Sequence, residues 1–357
     1  MQEKGTVSNS RVMGSSRRNR FAAVLIFALA AALAHPAASR ATGLALAETG
    51  RIEVNAMEYP WSAIGRVNAG GRGHCTGFLI GERRVLTAAH CLFDNRERRW
   101  RGANELHFVA GYQRDTYLIH SPVLSYERSR RFDPGAGATS ANAVADWAVL
   151  VLEKPIGRQA GWLGLRRLDK KLLARLRRGE ARTLQAGYRR GWAHIVTVNL
   201  DCPVSGFFEG RRGILHSCDI AKGDSGSPLL VLADGEFRVA GLHVLNARTD
   251  QGRTAGALSA ALFHPEGGAG QAVQAVRRAG DVWSGGRAPA GGGSASPIPL
   301  QTIDQLLGRL GHLDRADGQP TARERRAAIA AFQSQAGLPV TGEASLALLG
   351  RLIQSLR

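Results

Sequence analysis

The chain has 357 residues, 44% of them hydrophobic and 21% charged, with 44 Gly and 13 Pro, which excludes a disordered tail, a collagen or a coiled coil as a description of the whole. A basic excess of 47 residues, only five of them Lys, over 29 acidic ones gives a formal net charge of +18. No basic block is interleaved with aromatics as a single-strand binder requires, so the charge points to anionic polymers and not to nucleic acid.

Arg11, Arg17, Arg18 and Arg20 precede the apolar run Phe21–Ala34, which contains no acidic residue. A basic start followed by a short apolar run reads as a secretory signal peptide, and residues 1–47 are assigned to that leader. The run is shorter than the roughly 20 residues of a spanning helix. Ala32-Leu33-Ala34 and Ala45-Leu46-Ala47 offer small residues for cleavage. No later stretch is long and apolar enough to span a bilayer, so the mature chain is expected outside the cytoplasm, secreted or periplasmic. In that oxidising setting the four cysteines should pair. Three connectivities are possible, and the equal spacing of 16 within Cys75/Cys91 and Cys202/Cys218 favours those two bonds over a zinc site of CxxC type.

Short β-rich runs then follow one another: Trp61–Val67, Cys75–Ile80, Arg84–Thr87, Leu106–Ala110, Trp147–Leu152, His194–Val198, Pro228–Leu232 and Phe237–Val244. Glycines concentrate between them, and Asp234-Gly235 predicts a tight hairpin joining the last two. The rhythm is that of an antiparallel barrel or sandwich, occupying residues 48–283 as one large β domain or two packed barrels.

Three motifs lie inside this region: Thr87-Ala88-Ala89-His90-Cys91, Asp146-Trp147-Ala148-Val149-Leu150, and Gly223-Asp224-Ser225-Gly226-Ser227-Pro228. Each alone is modest, since a His in an apolar stretch or a Ser between glycines is usually structural. Together, in the order His, Asp, Ser and with Cys91 directly after the His, they resemble the trypsin/chymotrypsin-like serine peptidases. The resemblance is strongest to the bacterial secreted branch related to glutamyl endopeptidases, and it covers about residues 52–263. It implies a mainly β fold, a double antiparallel barrel, acting on protein or peptide substrates without cofactor or metal. A Ser hydroxyl needs a base to become nucleophilic, and His90 can supply it to Ser225. Asp146 would accept the other imidazole N–H. Gly223 lets its own N–H converge with that of Ser225 as an oxyanion hole.

The primary pocket is read less sharply. Asp219, six residues before Ser225, matches the acid with which trypsin-like members bind a basic side chain. His243, in Gly241-Leu242-His243-Val244, resembles the histidine that the glutamyl branch turns towards an acidic one. The preference stays open, with a lean to a basic residue. Arg51-Ile52 resembles the bond cut in trypsin-like zymogens, whose freed amine would bind Asp224; the bland alternative is that Asp224 caps a turn.

After Trp283 the composition changes to Gly, Ser, Ala and Pro, predicting a flexible linker at 284–298. Helical periodicity follows, with faces made by Ile303, Leu306, Leu307 and Leu310, by Ala328, Ile329 and Phe332, and by Leu346, Leu349 and Ile353. Residues 299–357 resemble the peptidoglycan-binding-like helical module of bacterial envelope enzymes, through Ala331-Phe332-Gln333, Gly337-Leu338-Pro339-Val340-Thr341-Gly342, Leu346 and Leu349. That resemblance implies peptidoglycan as a partner. The chain therefore reads as a secreted serine endopeptidase held near the cell wall, the competing class being a silent peptidase homologue used for envelope adhesion. A metalloenzyme has no support, as the ten His lack HExxH spacing.

Overall fold

The computed structural model describes residues 50–356 apart from 72, 201, 250–251, 264–271, 273, 276–285, 288, 290–297 and 315–318. The expected leader and most of the expected linker lie outside the described residues. The strands are β1 (Arg51–Glu53), β2 (Ile64–Ala69), β3 (His74–Gly81), β4 (Arg84–Thr87), β5 (Phe93–Asp94), β6 (Arg99–Trp100), β7 (Leu106–Ala110), β8 (Ile119–Arg128) and β9 (Ala148–Leu152). They continue as β10 (Gly164–Leu165), β11 (Arg182–Gly187), β12 (Thr197–Asn199), β13 (Val204–Phe208), β14 (Gly213–His216), β15 (Pro228–Ala233), β16 (Glu236–Thr249) and β17 (Gly252–Ser259).

β2, β3, β4, β9, β8 and β7 close into an antiparallel barrel. A nine-stranded sheet has the order β1-β12-β11-β15-β16-β17-β14-β13, with β10 pairing in parallel to β16, and β5 and β6 form a separate two-stranded antiparallel sheet. The fold is mainly β and trypsin-like, as the motifs imply, but among the described residues only the first of the two expected barrels is closed; the second is an open sheet. β15 shows why its sequence is an unbroken apolar run. Successive side chains point to opposite faces, and here both faces are covered: Leu230 and Leu232 join the large core, Leu229 and Val231 a smaller one with Leu172 and Ile214. The predicted hairpin forms, with Asp234 at φ 55° and Gly235 at φ 74° between Ala233 and Glu236.

Several elements carry no clear pattern in the sequence. β8 contains Pro122 and turns part of its surface to solvent, and β17 is rich in Gly and small residues, so neither shows strong alternation. Short helices α1 (Ser140–Ala143) and α2 (Gly157–Ala160) and the longer α3 (Lys170–Arg177) lie between strands. The Asp169 carboxylate caps α3 by accepting from Leu172 N at 2.7 Å.

The three expected C-terminal helices are α4 (Leu300–Arg309), α5 (Ala322–Gln335) and α6 (Leu346–Ser355). Thr321 and Glu324 form a capping box at α5, and Ser345 caps α6 through Leu348 N. These helices are docked on the β body. Ile303, Leu306, Leu349 and Leu352 share one core with Trp61, Leu232 and Phe237. Arg182 Nη2 donates to the carbonyls of Gln354 and Leu356 at 3.0 and 3.3 Å, while Gln354 returns a bond to Glu180 O at 3.1 Å. Within the expected linker, Arg287 exchanges two 2.9 Å backbone hydrogen bonds with Trp162, which ties the chain to the body before α4. No helix among the described residues is long and apolar enough to cross a membrane.

Candidate active site

β4 ends at Thr87, and a single 3-10 turn, Ala89–Leu92, carries His90 out of the first barrel. Asp146 lies between α1 and β9 and is 4% exposed. Its carboxylate takes two bonds from His90, from the backbone N–H at 2.9 Å and at Nδ1 at 2.5 Å. A carboxylate only accepts, so Nδ1 holds the proton and Nε2 is left as the basic atom. Burial opposes the imidazolium, but the Asp146 charge and hydrogen bond outweigh it and raise the His90 pKa above the ordinary histidine value.

Ser225 comes from the loop before β15 in the second sheet. Its carbonyl accepts from Thr76 N at 2.9 Å, and the Cys91 Sγ lies 3.9 Å from it, so the serine loop sits against the turn that carries His90. Gly226 permits that approach, since a Cβ there would stand 2.3 Å from the Thr87 hydroxyl. Gly223 adopts φ +94°, and a Cβ would fall 2.3 Å from the Tyr188 carbonyl. Its own carbonyl is held by the Thr76 hydroxyl at 2.8 Å. Among the described residues, no group accepts a hydrogen bond from the backbone N–H of Gly223 or Ser225. Both expected disulfides, Cys75–Cys91 and Cys202–Cys218, are present. Ligand atoms of Cys75, His90 and Cys91 gather within 4.8 Å, but disulfide sulfurs offer no thiolate to a metal.

The trypsin family profile matches residues 49–261, which contain His90, Asp146 and Ser225. The chain belongs to the trypsin family. A glutamyl endopeptidase of Bacillus licheniformis is 32% identical to it over 110 residues, or 31% of this chain and 32% of that protein. The match thus spans about a third of the length of this curated relative. A solved Glu endopeptidase structure, in complex with MPD, matches at 21% identity and a TM-score of 0.45, over 59% of this chain and 91% of that one.

Around this trypsin-family site, the two pocket residues fare differently from one another. Asp219 is already engaged, its carboxylate accepting from Arg189 Nη1 at 2.7 Å. His243 is 2% exposed, edge-on to His216 with ring centroids 5.7 Å apart. Burial, then His216 and His90, hold its pKa well below the ordinary value, so it is neutral at pH 7. Its backbone brackets the loop after the serine: Gly226 N donates to His243 O, and His243 N to Ser227 O, both at 2.8 Å. A cavity of about 320 Å³ opens beside His90, with Phe93, Phe132, Pro134, Val244 and Leu245 among its walls.

Thr76, Arg189 and His216 escaped the reading of the sequence. Their roles depend on strands brought together from distant segments, and only the position of Thr76 next to Cys75 hints at its place. Arg51 and Asp224, which the zymogen resemblance singled out, do meet. The link between them is the Arg51 guanidinium and not a freed amine, at 3.4 Å.

Proposed function

We propose that this chain is a secreted serine endopeptidase that hydrolyses peptide bonds through an acyl-enzyme. The observation that carries the reading is the close His90–Asp146 pair, on a turn that packs against a serine loop with two unengaged N–H groups. In this scheme His90 Nε2 takes the Ser225 hydroxyl proton as the oxygen attacks the substrate carbonyl, and Asp146 stabilises the imidazolium that forms. The N–H groups of Gly223 and Ser225 receive the developing oxyanion. His90 then returns its proton to the leaving amine, and water repeats the sequence on the ester. The cavity beside His90, whose walls mix Phe93, Phe132 and Leu245 with Asn95 and Asn246, would take a substrate side chain next to the cleaved residue.

At the primary pocket, a substrate Arg or Lys would compete with Arg189 for Asp219, so the pairing favours an acidic or neutral residue. The name of the Bacillus licheniformis relative agrees with an acidic one. Digestion of a peptide library tests this, and cleavage confined to Arg and Lys bonds would overturn it.

Export is supported by the basic and apolar leader and by the two disulfides. We retain peptidoglycan as the partner of residues 299–357 on their Phe-Gln and Gly-Leu-Pro-Val-Thr-Gly pattern. Purified sacculi should retain the whole protein and release it when α5 and α6 are removed. The decisive experiment for catalysis is labelling with a fluorophosphonate probe. Modification at Ser225, and its loss with all hydrolysis in a folded Ser225→Ala variant, are the expected results. Silence of the disulfide-bonded protein would favour the adhesion reading.

A further inference from the structure

Arg51 is 0% exposed, yet it carries a guanidinium into the interior of the second sheet. Nε donates to the Thr197 hydroxyl at 2.9 Å, Nη1 to Gln185 Oε1 at 2.7 Å and to the Asp219 carbonyl at 3.0 Å. Nη2 donates to the Thr197 carbonyl at 3.0 Å and to Asp224 Oδ1 at 3.4 Å. One side chain therefore grips both ends of the segment 219–224, the carbonyl at its start and the carboxylate beside Ser225. The same carboxylate accepts from Gln185 Nε2 at 3.1 Å and from Ala221 N at 3.1 Å, folding the loop onto itself. A buried Asp224 without a cation would be costly, and a buried Arg without an acceptor equally so. Each is the other's counter-charge.

We propose that Arg51 is a built-in positioning residue for the serine loop, doing from within the chain what a freed N-terminal amine would otherwise do, so that the active form keeps the Arg51–Ile52 bond. The bond is poorly placed for cutting. Arg51 and Ile52 pair with Asn199 and Val198 in the sheet, and Ile52 is 2% exposed. A cut there would free the residue whose guanidinium holds Asp219 and Asp224 in place. The inference deepens the peptidase reading at its oxyanion loop, but its structural part stands without that reading.

The test compares the full chain, processed as it exists, with a chain beginning at Ile52 and with Arg51→Met and Arg51→Lys. The N-terminus of the active species is read by mass spectrometry, the serine by the rate of fluorophosphonate labelling, and the loop by amide hydrogen exchange over residues 221–227. Labelling of a species with an intact Arg51–Ile52 bond is expected. The chain beginning at Ile52 and Arg51→Met should label at least 100-fold more slowly and lose protection at 221–227, with β3 and β4 unchanged. Arg51→Lys keeps the charge with fewer donors and should fall between. Should Arg51→Met fail to fold, Arg51→Lys decides, and unchanged protection in it overturns the proposal. Fast labelling of the chain beginning at Ile52 would also overturn it. If the full chain does not label at all, the peptidase reading fails, and the exchange comparison still decides the role of Arg51.

Discussion

The indole N–H of Trp61 donates to the hydroxyl of Thr302 across 3.1 Å, joining the start of the first barrel to α4, 241 residues later in the chain. Both groups are fully buried, and Trp61 also packs edge-on against Phe237 of the second sheet at 5.6 Å. The C-terminal helices thus touch the segment from which the first barrel begins and the sheet that presents Ser225. Thr302→Val keeps the shape but leaves the indole N–H without a partner, at a cost of about 1–3 kcal/mol. A fall in melting temperature of several degrees, with Trp fluorescence still buried, is expected by calorimetry; an unchanged melting temperature would show that the bond contributes nothing net.

Glu58 stands at the same junction. Its Oε1 accepts from Gln301 N at 3.1 Å, serving as a cap for α4, whose own N-cap residue, Pro299, makes no side-chain bond. Burial, with the Asp304 charge behind it, raises its pKa from 4.5 to about 7. Between those values the folded state binds a proton that the unfolded state has lost, so this group's contribution to stability is greatest in acid and declines as pH rises through 7. Glu58→Gln removes the titration. The difference in melting temperature, variant minus parent, should increase from pH 4.5 to pH 7.5, and parallel curves would refute the assignment.

Gly223→Ala tests the oxyanion hole. The substitution forces a side chain into a left-handed conformation, with its Cβ 2.3 Å from the Tyr188 carbonyl. The loop must shift, and with it the two N–H groups. Loss of such a donor costs on the order of 100- to 1000-fold in kcat. Steady-state kinetics should show that fall with KM much less affected.

The acid limb of kcat/KM should lie above the ordinary histidine value, because His90 must be neutral to act and Asp146 raises its pKa against the effect of burial. Asp146→Asn leaves burial unopposed. The limb should then move to lower pH, with turnover reduced on the order of 10,000-fold. A limb that stays in place would separate the titrating group from His90.

The residues of the candidate site were chosen from sequence alone, and the structure brings His90 and Asp146 into contact. His90, Asp146, Gly223 and Ser225 sit in short runs whose chemistry and order are local, and the two disulfides follow from equal spacing. The helical faces of Ile303, Leu306 and Leu307 and of Ile329 and Phe332 were equally plain, since burial follows the 3.6-residue period. β8, β17 and α3 were not, because a proline, small residues or a mostly exposed surface blur the periodicity.

Residue types and their order along the chain were enough to reach the family, the β architecture, the disulfides and the residues of the candidate site. Whether Asp219 is open to substrate, which cation meets Asp224, and whether the C-terminal helices hang free or dock were settled by packing. Arg189 lies 30 residues from Asp219, Arg51 lies 173 from Asp224, and Trp61 lies 241 from Thr302. Such partners leave no periodic or local mark on a sequence. They are selected when burial strips water from a charge or a donor and the nearest complementary group in space must replace it.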